Sequence, residues 1–114
     1  MKIICSPDSF KGSINAIDTS IAISKGLKKT IPEVKIDQCP VGDGGDGTLD
    51  CLLKSLNGKL IKTKVKSDSD KEFKSEIGLF NDGKIAFIES SKVIGIQNKS
   101  IQNTDPMLRT TFPL

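Results

Sequence analysis

The chain contains no histidine, no tryptophan and no tyrosine. Without histidine there is no Ser–His pair, no imidazole base and no imidazole metal ligand, so acid–base work falls to Asp, Glu, Lys or Cys. All aromatic residues are phenylalanine, five in number, and the core must therefore rest on Ile, Leu and Val. Cysteine is scarce and odd in count: Cys5, Cys39 and Cys51 form no CxxC pair. That pattern fits reduced thiols in a cytosolic protein better than a disulfide framework. No apolar stretch approaches the ~20 residues of a membrane span, and the N-terminus offers only Ile3, Ile4 and Cys5 before a polar run. Neither a membrane anchor nor a signal peptide is expected, and the expected location is the cytoplasm. Long blocks of one charge are missing too. The 17 basic and 14 acidic residues leave a net charge of +3, spread along the chain as on a solvated surface. Lys62, Lys64 and Lys66 alternate on an expected strand and so share one wet face. No aromatics interleave with them for base stacking, so no nucleic-acid partner is expected.

What is present reads as α/β. The length of 114 residues suffices for one domain of ordinary size. Lys2–Cys5 is an expected strand running into the loop Ser6–Gly12, with Ser13 as the expected N-cap of a helix over Ile14–Ile31. Apolar residues at 14, 17 and 21, then 23, 27 and 31, give that helix its period, and Pro32 ends it. A second strand over Val34–Cys39 opens into Gly42–Gly47, after which Thr48 is expected to cap a helix Leu49–Leu56 closed by Asn57-Gly58. Strand–loop–helix twice over implies Rossmann-like parallel units. The second half changes character. Lys59–Val65, Phe73–Leu79 and Lys84–Glu89 read as strands, the last two joined by the hairpin turn Asn81-Asp82-Gly83. A charged loop is expected at Ser67–Lys71 and a polar stretch from Gln97 to Thr104.

Both loops after the first two strands have unusual composition, and ligands of open α/β sheets bind at that edge. Pro7-Asp8-Ser9-Phe10-Lys11-Gly12-Ser13 combines a glycine, a mobile cation and an expected helix start, which suits a phosphate or a carboxylate. Lysine precedes the Gly-Ser pair, so the order is not that of a Walker A loop. Gly42-Asp43-Gly44-Gly45-Asp46-Gly47-Thr48 holds four glycines in six residues and two aspartates three apart. Carboxylates so placed can hold Mg²⁺, or one can take a proton from a substrate hydroxyl. Gly42, Gly44 and Gly47 also satisfy the dinucleotide pattern GxGxxG, with Asp68 downstream. Against that reading, Asp43 and Asp46 would set negative charge beside a pyrophosphate. Glu89, at a strand end before Ser90-Ser91, is a further candidate to ligate metal or orient substrate.

Together these segments resemble the glycerate kinase family, which phosphorylates D-glycerate from ATP. Lys2-Ile3-Ile4-Cys5-Ser6-Pro7-Asp8-Ser9-Phe10-Lys11-Gly12-Ser13 looks like the family's N-terminal signature. Gly42–Thr48 is similar to its DGGEGT motif, with Asp46 in place of the usual Glu, and Ile88-Glu89 followed by Gly95-Ile96 looks like its glutamate and short turn. Lys92 and Val93 stand where the family prefers small residues. The resemblance implies a two-domain kinase of which this chain is an incomplete, N-terminal part, because Pro113-Leu114 ends where the family continues. Residues 1–58 would belong to the Rossmann-like domain and 59–114 would start the second. Expected ligands are ATP, Mg²⁺ and glycerate, and the expected partner is the remaining portion of the same enzyme. Catalysis is expected from Asp43, Asp46 and Lys11, with the metal on Asp43 and Asp46. Asp8, Ser9, Lys11, Gly12, Ser13, Gly44, Gly45, Gly47, Thr48 and Glu89 would line the substrate and phosphate site. Alone, the chain would be an inactive fragment that at most binds an anion.

Overall fold

The computed structural model describes residues 1–66, 72–95, 105 and 107. The charged loop expected at 67–71 and the polar stretch at 97–104 lie outside the described residues. The chain separates into two compact units, Met1–Asp43 and Gly44–Leu114.

The first unit is a βαβ crossover. β1 (Lys2–Cys5) and β2 (Lys35–Gln38) run parallel, in register from Lys2↔Lys35 to Cys5↔Gln38. Parallel neighbours need a long connection, and α1 (Ala16–Thr30) supplies it while packing against both strands. The helix begins later than its sequence suggests. Phe10 and Ile14 pair as an isolated bridge, and the Phe10 carbonyl accepts from both Ser13 N–H (2.9 Å) and Ile14 N–H (3.2 Å). This small turn, passing through Gly12 at φ 76°, takes Ser13 out of the capping position. Asn15 caps instead: its Oδ1 accepts from Asp18 N–H at 2.7 Å while its Nδ2 donates to the Asp18 carboxylate at 2.7 Å.

The face that α1 buries also differs from the isoleucine stripe. Ala16, Thr19, Ser20 and Ser24 are buried, whereas Ile17, Ile21, Leu27 and Ile31 are half-buried and Ile23 is exposed. The hydroxyls are satisfied within the helix, Thr19 on Asn15 O (2.8 Å), Ser20 on Ile17 O (2.8 Å) and Ser24 on Ser20 O (2.7 Å). Small side chains let the backbone come close to β1, where the Cys5 thiol reaches Ser20 O at 3.8 Å.

The second unit sets α2 (Thr48–Leu56) against an antiparallel meander of β3 (Lys59–Lys66), β4 (Glu72–Phe80) and β5 (Ile85–Ile88), followed by the single-turn α3 (Ser91–Ile94). Thr48 is the first helical residue and Gly47 the cap, with no side-chain cap bond of its own. At the closing pair Asn57-Gly58 it is Asn57, and not the glycine, that takes the left-handed conformation (φ 50°). Gly58 is small for a different reason: a Cβ there would run into the Phe80 ring. The β4–β5 turn has three successive positive φ values, at Asn81, Asp82 and Gly83 (50°, 53° and 84°), as residue types tolerant of that region allow. Leu49, fully buried, packs on β4 at Gly78, where a Cβ would meet its Cδ1. That contact joins α2 to the meander within the second compact unit. The architecture is α/β: a parallel strand–helix unit followed by a helix and a meander.

Candidate functional site

In the first unit the hydrogen-bond ladder continues beyond the strands. Cys39 N–H donates to Cys5 O at 2.8 Å and Val41 N–H to Pro7 O at 3.1 Å. The loop that follows β1 and the opening of the loop that follows β2 therefore lie side by side at the carboxyl edge of the parallel pair. Asp8 and Ser9 are half-buried there, and the Asp8 carboxylate accepts from Ser9 N–H at 2.6 Å. Phe10, Lys11, Gly12 and Ser13 are exposed. The Ser13 amide, expected to receive an anion, already donates to Phe10 O, so Lys11 is the loop's cationic handle. Asp43, at the end of this unit, is exposed.

In the second unit the rest of the glycine loop folds on itself. Gly44 N–H donates to Thr48 Oγ1 (3.0 Å) and Thr48 N–H to Gly45 O (3.2 Å). Gly44 and Gly47 have φ of 95° and 88°, values that other residue types rarely adopt. Asp46 is half-buried. Beneath the loop lies Glu89, 2% exposed. Its Oε1 accepts from Gly47 N–H (3.1 Å) and Ser91 Oγ (3.0 Å), its Oε2 from Leu49 N–H (2.8 Å). The glutamate expected to contact substrate or metal thus has both oxygens engaged by the protein, at the start of α2. This also counts against the dinucleotide reading of Gly42, Gly44 and Gly47, because the Gly47 and Leu49 amides at the start of α2, which such a site would offer to a pyrophosphate, already donate to Glu89.

Lys92, on α3, is held by Glu76 of β4 at 2.6 Å. Burial works to lower the Lys92 pKa, but the hydrogen bond to Glu76 and the fields of Asp50, Glu76 and Glu89 outweigh it and raise it. The same hydrogen bond lowers Glu76, against its partial burial. This pair escaped the sequence reading, since nothing in the local pattern links residues 76 and 92. Among the described residues, no three His, Cys, Asp or Glu side chains gather as a metal cage, and no helix is long and apolar enough to cross a membrane.

A parallel strand–helix unit with two loops side by side at its carboxyl edge defines an α/β protein. Residues 3–114 match the family described as "Glycerate kinase family", and the chain belongs to that family. It is 36% identical to a glycerate kinase of Haemophilus influenzae over 98% of this chain and 30% of that protein. A glycerate kinase of Bacillus subtilis is 34% identical and a glycerate 2-kinase of Escherichia coli 32% identical, each over 97% of this chain and 29% of the relative. A crystal structure from Salmonella typhimurium LT2, assigned to glycerate kinase 2, superposes with a TM-score of 0.79 at 28% identity, covering 99% of this chain and 30% of that one. The chain thus spans about 30% of the length of these relatives.

Proposed function

We propose that this chain serves phosphoryl transfer from ATP to glycerate, giving phosphoglycerate and ADP. The observation that carries the reading is the family match across residues 3–114, which includes both loops. A glycerate hydroxyl oxygen attacks the γ-phosphorus, the bond from that phosphorus to the bridging oxygen of ADP breaks, and the hydroxyl proton passes to a carboxylate. Such chemistry depends on positioning and charge neutralisation, which need no histidine. Lys11 is exposed on a loop pinned by its own backbone bonds, and is suited to a phosphate or to the glycerate carboxylate. Asp8 and Ser9 line the approach to it. Asp43 and Asp46 supply carboxylates for the hydroxyl proton and for Mg²⁺. Mg²⁺ usually takes one or two carboxylates and fills its shell with phosphate oxygens and water, so a single aspartate of the loop would suffice to hold it. When bound, the ion would neutralise charge on the phosphates. Gly44, Gly47 and Thr48 contribute the loop's shape, since their amides are engaged internally.

Because the chain spans about 30% of its relatives, the reading includes a partner: the remaining portion of such an enzyme, with residues 59–114 opening its second domain. The cytoplasm, where ATP is plentiful and thiols stay reduced, is the proposed location. The test is ADP release with ATP, Mg²⁺ and D-glycerate, first from this chain and then from the chain joined to the portion its relatives possess. Glycerate-dependent turnover in the joined form supports the reading; ATP and glycerate binding without ADP release in that form would replace it with a binding module. Asp43→Asn lowers kcat about 10²-fold where Asp43 is the base, and a near-normal rate moves that role to Asp46.

A further inference from the structure

Among the buried polar and charged residues described, Glu89 is the one that carries a formal charge. Removing a carboxylate from water is costly unless donors replace the water, and three do so here: Gly47 N–H, Leu49 N–H and the Ser91 hydroxyl. Leu49 N–H belongs to the first turn of α2 and Gly47 N–H to its cap residue, and neither has a partner within the helix, whose positive end they help form. Helix starts of this kind collect phosphate or carboxylate from solution. Here the chain has brought its own anion, from forty residues away. The surroundings add to this. Asp46 precedes the helix and Asp50 sits in its first turn, so a second anion would meet three carboxylates. Lys92, whose charge is favoured by the field of Glu89, supplies the nearby balancing cation and is itself anchored on Glu76.

We propose that Glu89 is a positioning residue: its carboxylate acts as a built-in anion that fixes the backbone from Gly44 to Leu49 and turns phosphate away from the start of α2. Glu89 then touches neither substrate nor metal. It works through the loop, whose shape sets where the Asp46 carboxylate stands. For its consequence in catalysis this inference rests on the phosphoryl-transfer reading: nucleotide phosphates would meet the glycine loop through its aspartates and a bound cation, and not through the α2 amides.

The test uses amide NMR of the 114-residue chain, with inorganic phosphate and then formate as probes. In the unaltered protein the Leu49 amide should exchange slowly, and neither Gly47 nor Leu49 should shift as phosphate is added. Saturable phosphate shifts at these two amides would overturn the proposal. In Glu89→Gln, which keeps the shape but sets an NH₂ against a backbone donor, Leu49 exchange should quicken about tenfold or more. In Glu89→Ala, formate should enter the vacated place, shift Gly47 and Leu49, and slow their exchange again. Should these variants fail to fold, Ser91→Ala removes one donor only, and it should shift Gly47, which shares Oε1, more than Leu49. Equal or absent shifts there would overturn the positioning role of Glu89. A failure of the kinase reading would appear separately, as absent ADP release, and would leave these amide signals as described.

Discussion

The two longer helices begin in opposite ways. α1 is capped by its neighbour in sequence, Asn15, paired with Asp18 one turn on. α2 begins at a glycine with no side chain to offer and is capped from β5's end by a buried carboxylate. The first is a local device on an exposed surface, and its loss would fray one turn. The second ties a loop, a helix and a sheet together through one side chain. A local cap fixes where a helix starts, whereas a distant one fixes where the helix sits.

Four substitutions would sharpen or break this contrast, all read by urea unfolding. The largest effect is expected from Glu89→Ala, which leaves the buried Leu49 amide and the half-buried Gly47 amide without an acceptor. A loss of about 3 kcal/mol or more is expected, and a loss no larger than that of the local cap would end the distinction. Ser20→Val comes next, because α1 buries small residues where a larger helix face would stand off. Forcing methyl groups into that contact should cost about 1–3 kcal/mol, and a neutral result would show the α1–β1 contact to be loose. Asn15→Ala should cost about 1 kcal/mol. The smallest effect belongs to Glu76→Gln, about 0.5–1 kcal/mol at neutral pH, and its pH dependence is the better readout. The lowered Glu76 pKa contributes stability that is present above its ordinary value of 4.5 and lost as pH falls through the lower folded value. The raised Lys92 pKa contributes stability that is present below 10.5 and lost as pH rises through the higher folded value. Both slopes should flatten in Glu76→Gln, and two unchanged slopes would assign them to other groups.

The contrast also explains what could be seen in the sequence. Strands announced themselves by alternation and by the Asn81-Asp82-Gly83 turn, and the order of elements followed from them. The sequence reading put the cap of α1 at Ser13 after Gly12, whereas Asn15, with Asp18 three residues on, caps it. Only the Phe10–Ile14 bridge decides between them. The buried face of α1 was hidden because its serines are polar in composition yet satisfied by their own helix. The candidate loops were legible as concentrations of glycine, aspartate and lysine. Their inner hydrogen bonds were not, and those bonds engage the amides of Ser13, Gly44 and Gly47 within the protein. Glu89 stood out as a strand-end acid, but its partner forty residues back leaves no periodic trace.

One feature of the meander bears on how this chain behaves at high concentration. Among the described residues β3 is an outer strand of its sheet, and it carries lysine at 59, 62, 64 and 66. For two copies to zip together along that edge, these ammonium groups would have to be brought within a few ångströms of one another, and like charges so placed oppose pairing. The strand is thus fenced against recruitment into extended sheets while the charges act, and salt near 1 M, which shrinks their reach to about 3 Å, would lower the fence.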